Sequence, residues 1–430
     1  MAGGGGGGGG GGAPRPPGGR RQRHQAAWLP LEVMADIAAR SDPVTLVRCA
    51  ATCGDLRGRV ADPGFRRRLR LRHADRFVPS LLRGHLVGEP DFSIRIPDLD
   101  DDPLNVYLVD AATATLLPAA ESFPPGPDGE PLLLYRSVSA REGLVLVECH
   151  ELRLLRVCNL ATGRSQTLPP VPAFLGYYAL LVGDGEGGAV GRPFQVVKAS
   201  LVFHQFQQSQ HRLLVQTFSS ELGVWGPCTE IRTPQIQGRQ TCQPKIGRLL
   251  VVGDAVYWLC LTSSAGYVLK IRVRAAAAPR LTVTKLPERY PYNGGWRINH
   301  LLATMAPGGG SPPAVLVADM EKISAWTQSR HTARWNPQPH VVIRYDAISR
   351  FLDSVGEGRL HMHQAEQVNL VWFAQRSGIV FIRMYNCFFW LDLQSKEIVR
   401  CSSDPEIRYK DVYDPCEMDL STWVPTFSSI

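Results

Sequence analysis

A recurring set of apolar strands restricts the fold of this chain more than any other feature. From about residue 90 onward, short β-prone segments alternate with proline and glycine, and five apolar strands start 51, 62, 59 and 56 residues apart. These strands begin at Gly143, Phe194, Val256, Val315 and Val371. A single blade of about four strands cannot cover both of its faces, whereas a closed ring buries each blade between two neighbours. The spacing therefore predicts a β-propeller of six or seven blades, with a pair of β-sandwiches as the alternative.

A second pattern recurs within this region. Residues 105–118 and 152–170 each contain an apolar strand, an Ala-Thr turn and a strand that ends in Leu-Pro. Weaker copies occupy residues 267–287, 341–355 and 388–399, and each copy predicts two strands joined by a turn. Large aromatic side chains are expected to pack between the blades. The tryptophans concerned are Trp225, Trp258, Trp296, Trp326, Trp372 and Trp390.

The N-terminal stretch 28–65 has a helical period instead. Apolar residues at Val33 and Ile37 predict one stripe on a helix, and Pro30 suits its first turn because the N–H that proline lacks would have no helical partner there anyway. Asp42-Pro43 is typical of the start of a second helix, and Asp55 of the start of a third, shorter one. A segment of ~40 residues rarely buries enough apolar surface to fold alone. Either the rest of the chain or another protein must cover it.

The same residues resemble an F-box. The resemblance rests on Leu29-Pro30 with Val33 and Ile37, then the stretch from Val44 to Cys53, then Asp62-Pro63 and Phe65. It implies a three-helix hairpin that binds the Skp-type adaptor of cullin-based ubiquitin ligases. The adaptor-binding residues that it implies are Leu29, Pro30, Val33, Ile37, Leu46 and Val47. The alternative is an amphipathic helical cap that docks on the following domain of the same chain.

The remainder resembles the domain that follows the F-box in many plant F-box proteins, including those of grasses. The matching residues are Val157 to Gly163 with Leu168-Pro169-Pro170, the strand Val256 to Leu259, and Leu391-Asp392-Leu393. The two resemblances imply an α+β multidomain protein with a kelch-like β-propeller, which acts as the non-catalytic substrate-recognition subunit of a ubiquitin ligase. The expected parts are a disordered Gly/Pro/Arg-rich tail at 1–25, the F-box at 26–65, a basic linker helix at 66–88 and the propeller domain at 89–430. The target protein is not identified.

Charge is distributed unevenly along the chain. Residues 1–88 contain 15 Lys and Arg against 6 Asp and Glu, whereas the remainder is nearly neutral. This distribution is not typical of a globally basic nucleic-acid binder. A solvated linker face explains the arginines between Arg66 and Arg76. The alternative function is a nucleic-acid- or chromatin-associated protein that uses this basic helix.

The sequence predicts no catalytic, cofactor or metal site. Gly183 to Gly188 satisfies G-x-G-x-x-G, but a strand follows where a dinucleotide site needs a helix. His361 and His363 have no third ligand at a defined spacing. The ten cysteines are scattered without a C-x-x-C pair, which favours free thiols in the cytoplasm or nucleus. No apolar run approaches the ~18 residues of a membrane span, so a soluble protein is expected.

Overall fold

The structure is a computed structural model, and its helices and strands follow the two periods of the sequence. It describes residues 29–41, 43–62, 64–65, 69, 77–88, 106–110, 116–118, 135–149, 154–160, 162–170, 174–183, 187–203, 211–238, 249–274, 277–292, 298–306, 311–329, 332–354, 368–384, 387–402 and 411–418, together with Gly3. Within these residues, three helices precede a ring of six antiparallel sheets.

The three N-terminal helices are α1 (Leu31–Arg40), α2 (Pro43–Thr52) and α3 (Gly54–Ala61). The Cys53 thiol caps α3 by accepting from the Leu56 N–H at 3.5 Å. The inner faces of the helices form one buried cluster, which also includes Val78 and Leu81 from the segment that leads into the sheets. The chain itself therefore covers one side of this helical hairpin.

Six sheets form the blades of a propeller, and each blade is built mainly from consecutive strands. Blade one contains β1 (Leu82–Gly88), β2 (Val106–Asp110) and β3 (Leu116–Pro118); blade two contains β4 (Tyr135–Arg141), β5 (Leu144–Cys149), β6 (Leu154–Asn159) and β7 (Ser165–Thr167); blade three contains β8 (Tyr177–Val182), β9 (Phe194–Val202), β10 (Arg212–Ser219), β11 (Val224–Trp225) and β12 (Thr229–Arg232). Blade four contains β13 (Leu250–Val252), β14 (Ala255–Leu261), β15 (Gly266–Arg274) and β16 (Ala277–Lys285); blade five contains β17 (Asn299–Thr304), β18 (Pro313–Ala318), β19 (Lys322–Thr327) and β20 (His340–Arg344); blade six contains β21 (Asn369–Ala374), β22 (Ile379–Met384), β23 (Cys387–Asp392) and β24 (Glu397–Ser402). Helix α4 (Tyr345–Ser354) follows β20, and β25 (Asp411–Glu417) joins blade one.

The two ends of the β domain close the ring together. Strand β1 pairs antiparallel with β2 on one side and with β25 on the other, so the last strand completes the first blade. The Glu417 carboxylate accepts from the backbone N–H of Arg376 at 3.0 Å and of Ser377 at 2.7 Å, and from the Ser377 hydroxyl. The Met418 N–H donates to the Leu81 carbonyl at 2.8 Å. The segment that closes the ring therefore also holds the N-terminal segment, through the hydrogen bond between Met418 and Leu81.

Aromatic side chains pack at the seams between blades, as predicted. Trp258 of blade four meets Tyr177 of blade three edge-on, with ring centroids 5.2 Å apart. Trp326 lies in the cluster shared by blades four and five, and Trp372 and Trp390 lie in the cluster shared by blades six and one. The Trp225 N–H donates to the Pro169 carbonyl at 3.3 Å, between blades two and three. Trp296 lies outside the described residues.

The observed blades confirm the propeller prediction and exclude the sandwich alternative. The ring has six blades, the lower of the two expected numbers. All five apolar segments are strands, namely β5, β9, β14, β18 and β21. The described parts of four of the strand–turn–strand copies also form the expected pairs, β2–β3, β6–β7, β15–β16 and β23–β24.

Two sequence predictions are wrong. The copy at 341–355 is a strand followed by helix α4, because Tyr345, Ile348 and Leu352 are spaced for one helical face and are buried together. The predicted linker 66–88 contains β1, so the propeller begins at Leu82 rather than at residue 89. Most arginines of that linker lie outside the described residues. No helix among the described residues is long and apolar enough to cross a membrane.

Candidate functional site

Helix α1 presents an apolar stripe that nothing in the described chain covers. Leu29, Val33 and Ile37 are spaced four residues apart, and their exposed fractions are 51%, 42% and 51%. Pro30 is exposed beside them. We call Leu29, Pro30, Val33 and Ile37 the α1 stripe. Isolated exposed aliphatic residues are ordinary, but a contiguous set on one helix face is typical of a binding surface.

The stripe faces outward because small residues occupy the opposite side of α1. Ala35 and Ala38 are buried against Leu46, Leu56 and Val60 of the other two helices. Alanine lets the helices approach closely, so the larger residues remain on the outside. Asp36 and Arg40 form a 2.7 Å ion pair on the exposed side of the helix, and such a surface pair contributes little to stability.

The six residues implied as adaptor contacts do not share one surface. Leu29, Pro30, Val33 and Ile37 make up the α1 stripe, whereas Leu46 is 1% exposed inside the hairpin. The prediction that Leu46 contacts a partner directly does not fit this position, because its side chain already packs on α1 and α3. The Val47 side chain lies outside what the structure describes. Sequence periodicity marks both helix faces as apolar, and only packing shows which one is covered.

A second candidate site lies at the centre of the ring. The inner strands β25, β4, β8, β13, β17 and β21 surround a cavity of about 90 Å³, to which each of them contributes residues. Leucine and aromatic side chains line much of it, and Ser139 and Tyr178 add polar atoms. A cavity of this size is large enough to hold several water molecules or a small chemical group.

Charged residues gather at one end of this cavity, at the turns between the first and second strands of blades two, three and six. The Arg141 guanidinium donates through Nη1 to the Val251 carbonyl at 2.8 Å and to Gln375 Oε1 at 2.7 Å. The buried Arg192 pairs with Glu142 at 2.9 Å. Arg192 also donates to the Gly183 carbonyl at 2.7 Å. We call Arg141, Glu142, Arg192, Arg376 and Glu417 the channel charge cluster.

The surroundings do not stabilise the charged forms of Arg141 and Glu142 equally. Burial lowers the pKa of Arg141, and Arg376 and Arg192 add to that effect against the opposing influence of Glu142 and Glu417. Burial alone would raise the pKa of Glu142, but Arg141, Arg192 and Arg376 lower it below its ordinary value. The surroundings therefore stabilise the carboxylate and disfavour the added positive charge.

Sequence reasoning missed the channel charge cluster. Arg141, Arg192 and Arg376 belong to three blades and are far apart in the chain, so no local spacing connects them. One local signal exists: Glu142 and Gly143 have φ angles of 49° and 81° in the turn between β4 and β5. A left-handed glutamate is uncommon and marks a turn that the surrounding packing holds in place.

The other sequence candidates do not form sites among the described residues. Gly187 and Gly188 lie in an irregular turn that leads into strand β9, so the glycine motif has no helix behind it. His361 and His363 lie outside the described residues. Within the described ranges no three His, Cys, Asp or Glu side chains are grouped to hold a metal ion. The eight cysteines whose side chains are described are free thiols, as predicted.

Comparisons with known proteins place the β domain in a family. No curated protein matches the chain. A solved chain from the crystal structure of a nidogen/laminin complex aligns with a TM-score of 0.33 and 8% identity over 77% of this chain and 96% of that chain. The acylaminoacyl peptidase of Pyrococcus horikoshii aligns with a TM-score of 0.30 and 8% identity over 69% of this chain and 41% of that chain. Both likenesses are too distant to inform function.

The family match covers most of the propeller. Residues 120–428 match the domain of unknown function DUF7595, from the start of blade two to the closing strand. The helical hairpin and the first three strands lie outside this match. Because the match spans well over half of the sequence, the chain belongs to the DUF7595 family.

Proposed function

We propose that this protein is the substrate-recognition subunit of a Skp-adaptor/cullin/F-box ubiquitin ligase. The N-terminal hairpin is an F-box that binds the adaptor, and the kelch-like propeller binds a target protein. The observation that carries the proposal is the α1 stripe, which stays exposed on a hairpin whose other face is packed. The plant-type F-box resemblance of the same residues supplies the identity of the partner.

The α1 stripe offers enough apolar surface to contribute to adaptor binding. Full burial of one large aliphatic side chain is worth about 1.5–3 kcal/mol, so covering the exposed half of Leu29, Val33 or Ile37 adds roughly 1 kcal/mol each. Together they contribute about 3 kcal/mol, which corresponds to about two orders of magnitude in affinity. A complete interface needs further contacts, and the stripe is its apolar centre.

The segment between the hairpin and the propeller packs on both of them, as a protein that holds two partners in place requires. Phe77 meets Phe373 edge-on at 6.3 Å between ring centroids, and the Val78 N–H donates to the Arg376 carbonyl at 2.8 Å. Val78 and Leu81 extend the same contact into the hairpin core. The protein makes no bond itself in this function. It holds a target near the ubiquitin-charged enzyme of the ligase and so raises the effective concentration of the two reactants.

Co-purification with a Skp-type adaptor tests this function. The variant Val33→Ser/Ile37→Ser removes the middle of the α1 stripe, and adaptor affinity is expected to fall at least about tenfold because roughly 2 kcal/mol of apolar contact is lost. The matched control is Leu222→Ser/Val224→Ser, which changes two side chains that are 69% and 54% exposed at the edge of blade three. Equal adaptor recovery by wild type and both variants would refute the proposal.

A further inference from the structure

The channel charge cluster contains more hydrogen-bond donors than the protein uses. Glu417 already accepts three hydrogen bonds from Arg376 and Ser377, and Glu142 already pairs with Arg192. Asp414, which also lines the cavity, accepts from the Ser137 hydroxyl at 3.3 Å. The acceptors of this site are therefore engaged within the protein.

Two of the arginines, Arg376 and Arg141, are not engaged to the same extent. Arg376 lines the cavity half-buried, and its guanidinium has no hydrogen-bond or ion-pair partner in the described part of the chain. Arg141 uses only Nη1 for its two hydrogen bonds, and its Nε lies 3.9 Å from a Glu142 oxygen. Planar N–H donors at the lining of a partly apolar cavity match the two oxygens of a carboxylate.

We propose that Arg376, assisted by Arg141, makes this end of the central cavity a binding site for a carboxylate-bearing ligand. A carboxylate supplies the negative charge that the under-compensated guanidinium groups lack and accepts from their unused N–H groups. The identification of this ligand as an acidic side chain of the target protein rests on the proposed function. A free small carboxylate has the same chemistry and is the other source to be tested.

Isothermal titration calorimetry on the full chain tests the site with two probes. One probe is succinate, and the other is a five-residue peptide with blocked ends and a central glutamate, with the glutamine version as its control. Arg376→Gln removes the free guanidinium without breaking a side-chain hydrogen bond or ion pair of the described residues, so the fold is expected to remain. Arg350→Gln, a matched change on the exposed face of α4, and Asp414→Asn, within the cavity, are the controls.

Binding of at least one probe is expected, with affinity lowered about tenfold or more in Arg376→Gln because a charge-assisted pair is lost. Arg350→Gln should bind like wild type, and Asp414→Asn at least as well. Binding of the glutamate peptide alone assigns the site to a protein ligand, and tighter binding of succinate assigns it to a free carboxylate. Absence of binding by both probes, or equal binding by wild type and Arg376→Gln, would overturn the proposal.

The same variants separate this site from the adaptor interface. Arg376→Gln should retain adaptor binding, and Val33→Ser/Ile37→Ser should bind the carboxylate probe like wild type. If the stripe variant keeps its adaptor while Arg376→Gln loses the probe, the proposed function fails and the carboxylate site stands. The reverse result refutes the carboxylate site alone.

Discussion

His85 makes the stability of the propeller sensitive to mild acid. Its ring is fully buried on β1 and packs against Phe381 with ring centroids 4.4 Å apart and against Trp372 and Trp390 at 5.8 Å. Neither ring nitrogen has a hydrogen-bond partner among the described residues. Burial among aromatic rings lowers the pKa of His85 from 6.5 to about 3, because it removes the imidazolium from bulk solvent.

The magnitude follows from proton linkage. The unfolded chain binds the proton near pH 6.5 and the folded chain only near pH 3, so acid favours unfolding throughout that window. At pH 5 the free energy of unfolding should be about 2 kcal/mol lower than at pH 7 on account of this residue.

Urea unfolding of wild type and His85→Phe at pH 7 and pH 5 measures this effect. Half-buried His300, whose pKa desolvation lowers to about 4, contributes to acid sensitivity in both proteins, and the difference between them isolates His85. The substitution should flatten the pH dependence by about 2 kcal/mol, whatever its effect at pH 7. Equal loss of stability between pH 7 and pH 5 in the two proteins would show that His85 is not a buried neutral histidine.

Three further predictions concern the turns that hold the ring and its N-terminal segment. Gly378 has a φ of 72° and a Cβ there would overlap the Phe77 ring, so Gly378→Ala should lower the free energy of unfolding by about 1–3 kcal/mol and make the N-terminal helices more sensitive to limited proteolysis. Glu417→Ala leaves the N–H groups of blade six without their acceptor and should cost about 2–3 kcal/mol in urea unfolding, while Glu417→Gln should cost less. Arg192→Met leaves the half-buried Glu142 with only the more distant Arg141, at 3.9 Å, and should cost about 2 kcal/mol by the same measurement; adding Glu142→Gln should recover part of that loss, and a strictly additive double variant would contradict the pairing.

The sequence predicts the blades well because each one is mostly local. Most strands pair with strands that are next to them in the chain, as Phe194–Val202 pairs with β8 and β10. A short stretch of sequence therefore contains the whole pattern of apolar strand and turn. Blade one, which closes the ring, is not built from one continuous stretch of sequence. Strand β1 pairs with β25, more than 300 residues later, and the apolar residues Leu86 and Val87 then read as part of a linker. The segment of helix α4 reads as a strand in the sequence because apolar residues of β20 precede it directly.

The candidate sites differ in how far the sequence could lead to them. Val33 and Ile37 are one turn apart on α1 and Leu29 continues the same spacing just before the helix, so their shared face follows from the helical period alone. That Leu46 points inward depends on how the three helices pack, which periodicity does not reveal. Arg141 and Arg376 meet only because the ring brings blades two and six to the same end of the cavity. Such a meeting depends on the order and number of blades, which no spacing of residues specifies.

The ring cannot close during synthesis until β25, the strand that completes blade one, has been made. The helical hairpin leaves the ribosome before β25 is made, because the hairpin precedes the whole ring in the chain. Until that strand is made, β1 lacks one pairing partner, and the interface between blades six and one is incomplete. That interface contains Leu82, Val87, Trp372 and Trp390. A chain that stops before Asp411 would keep an open ring with an unpaired edge on β1, and chaperones and proteases would act on that exposed edge.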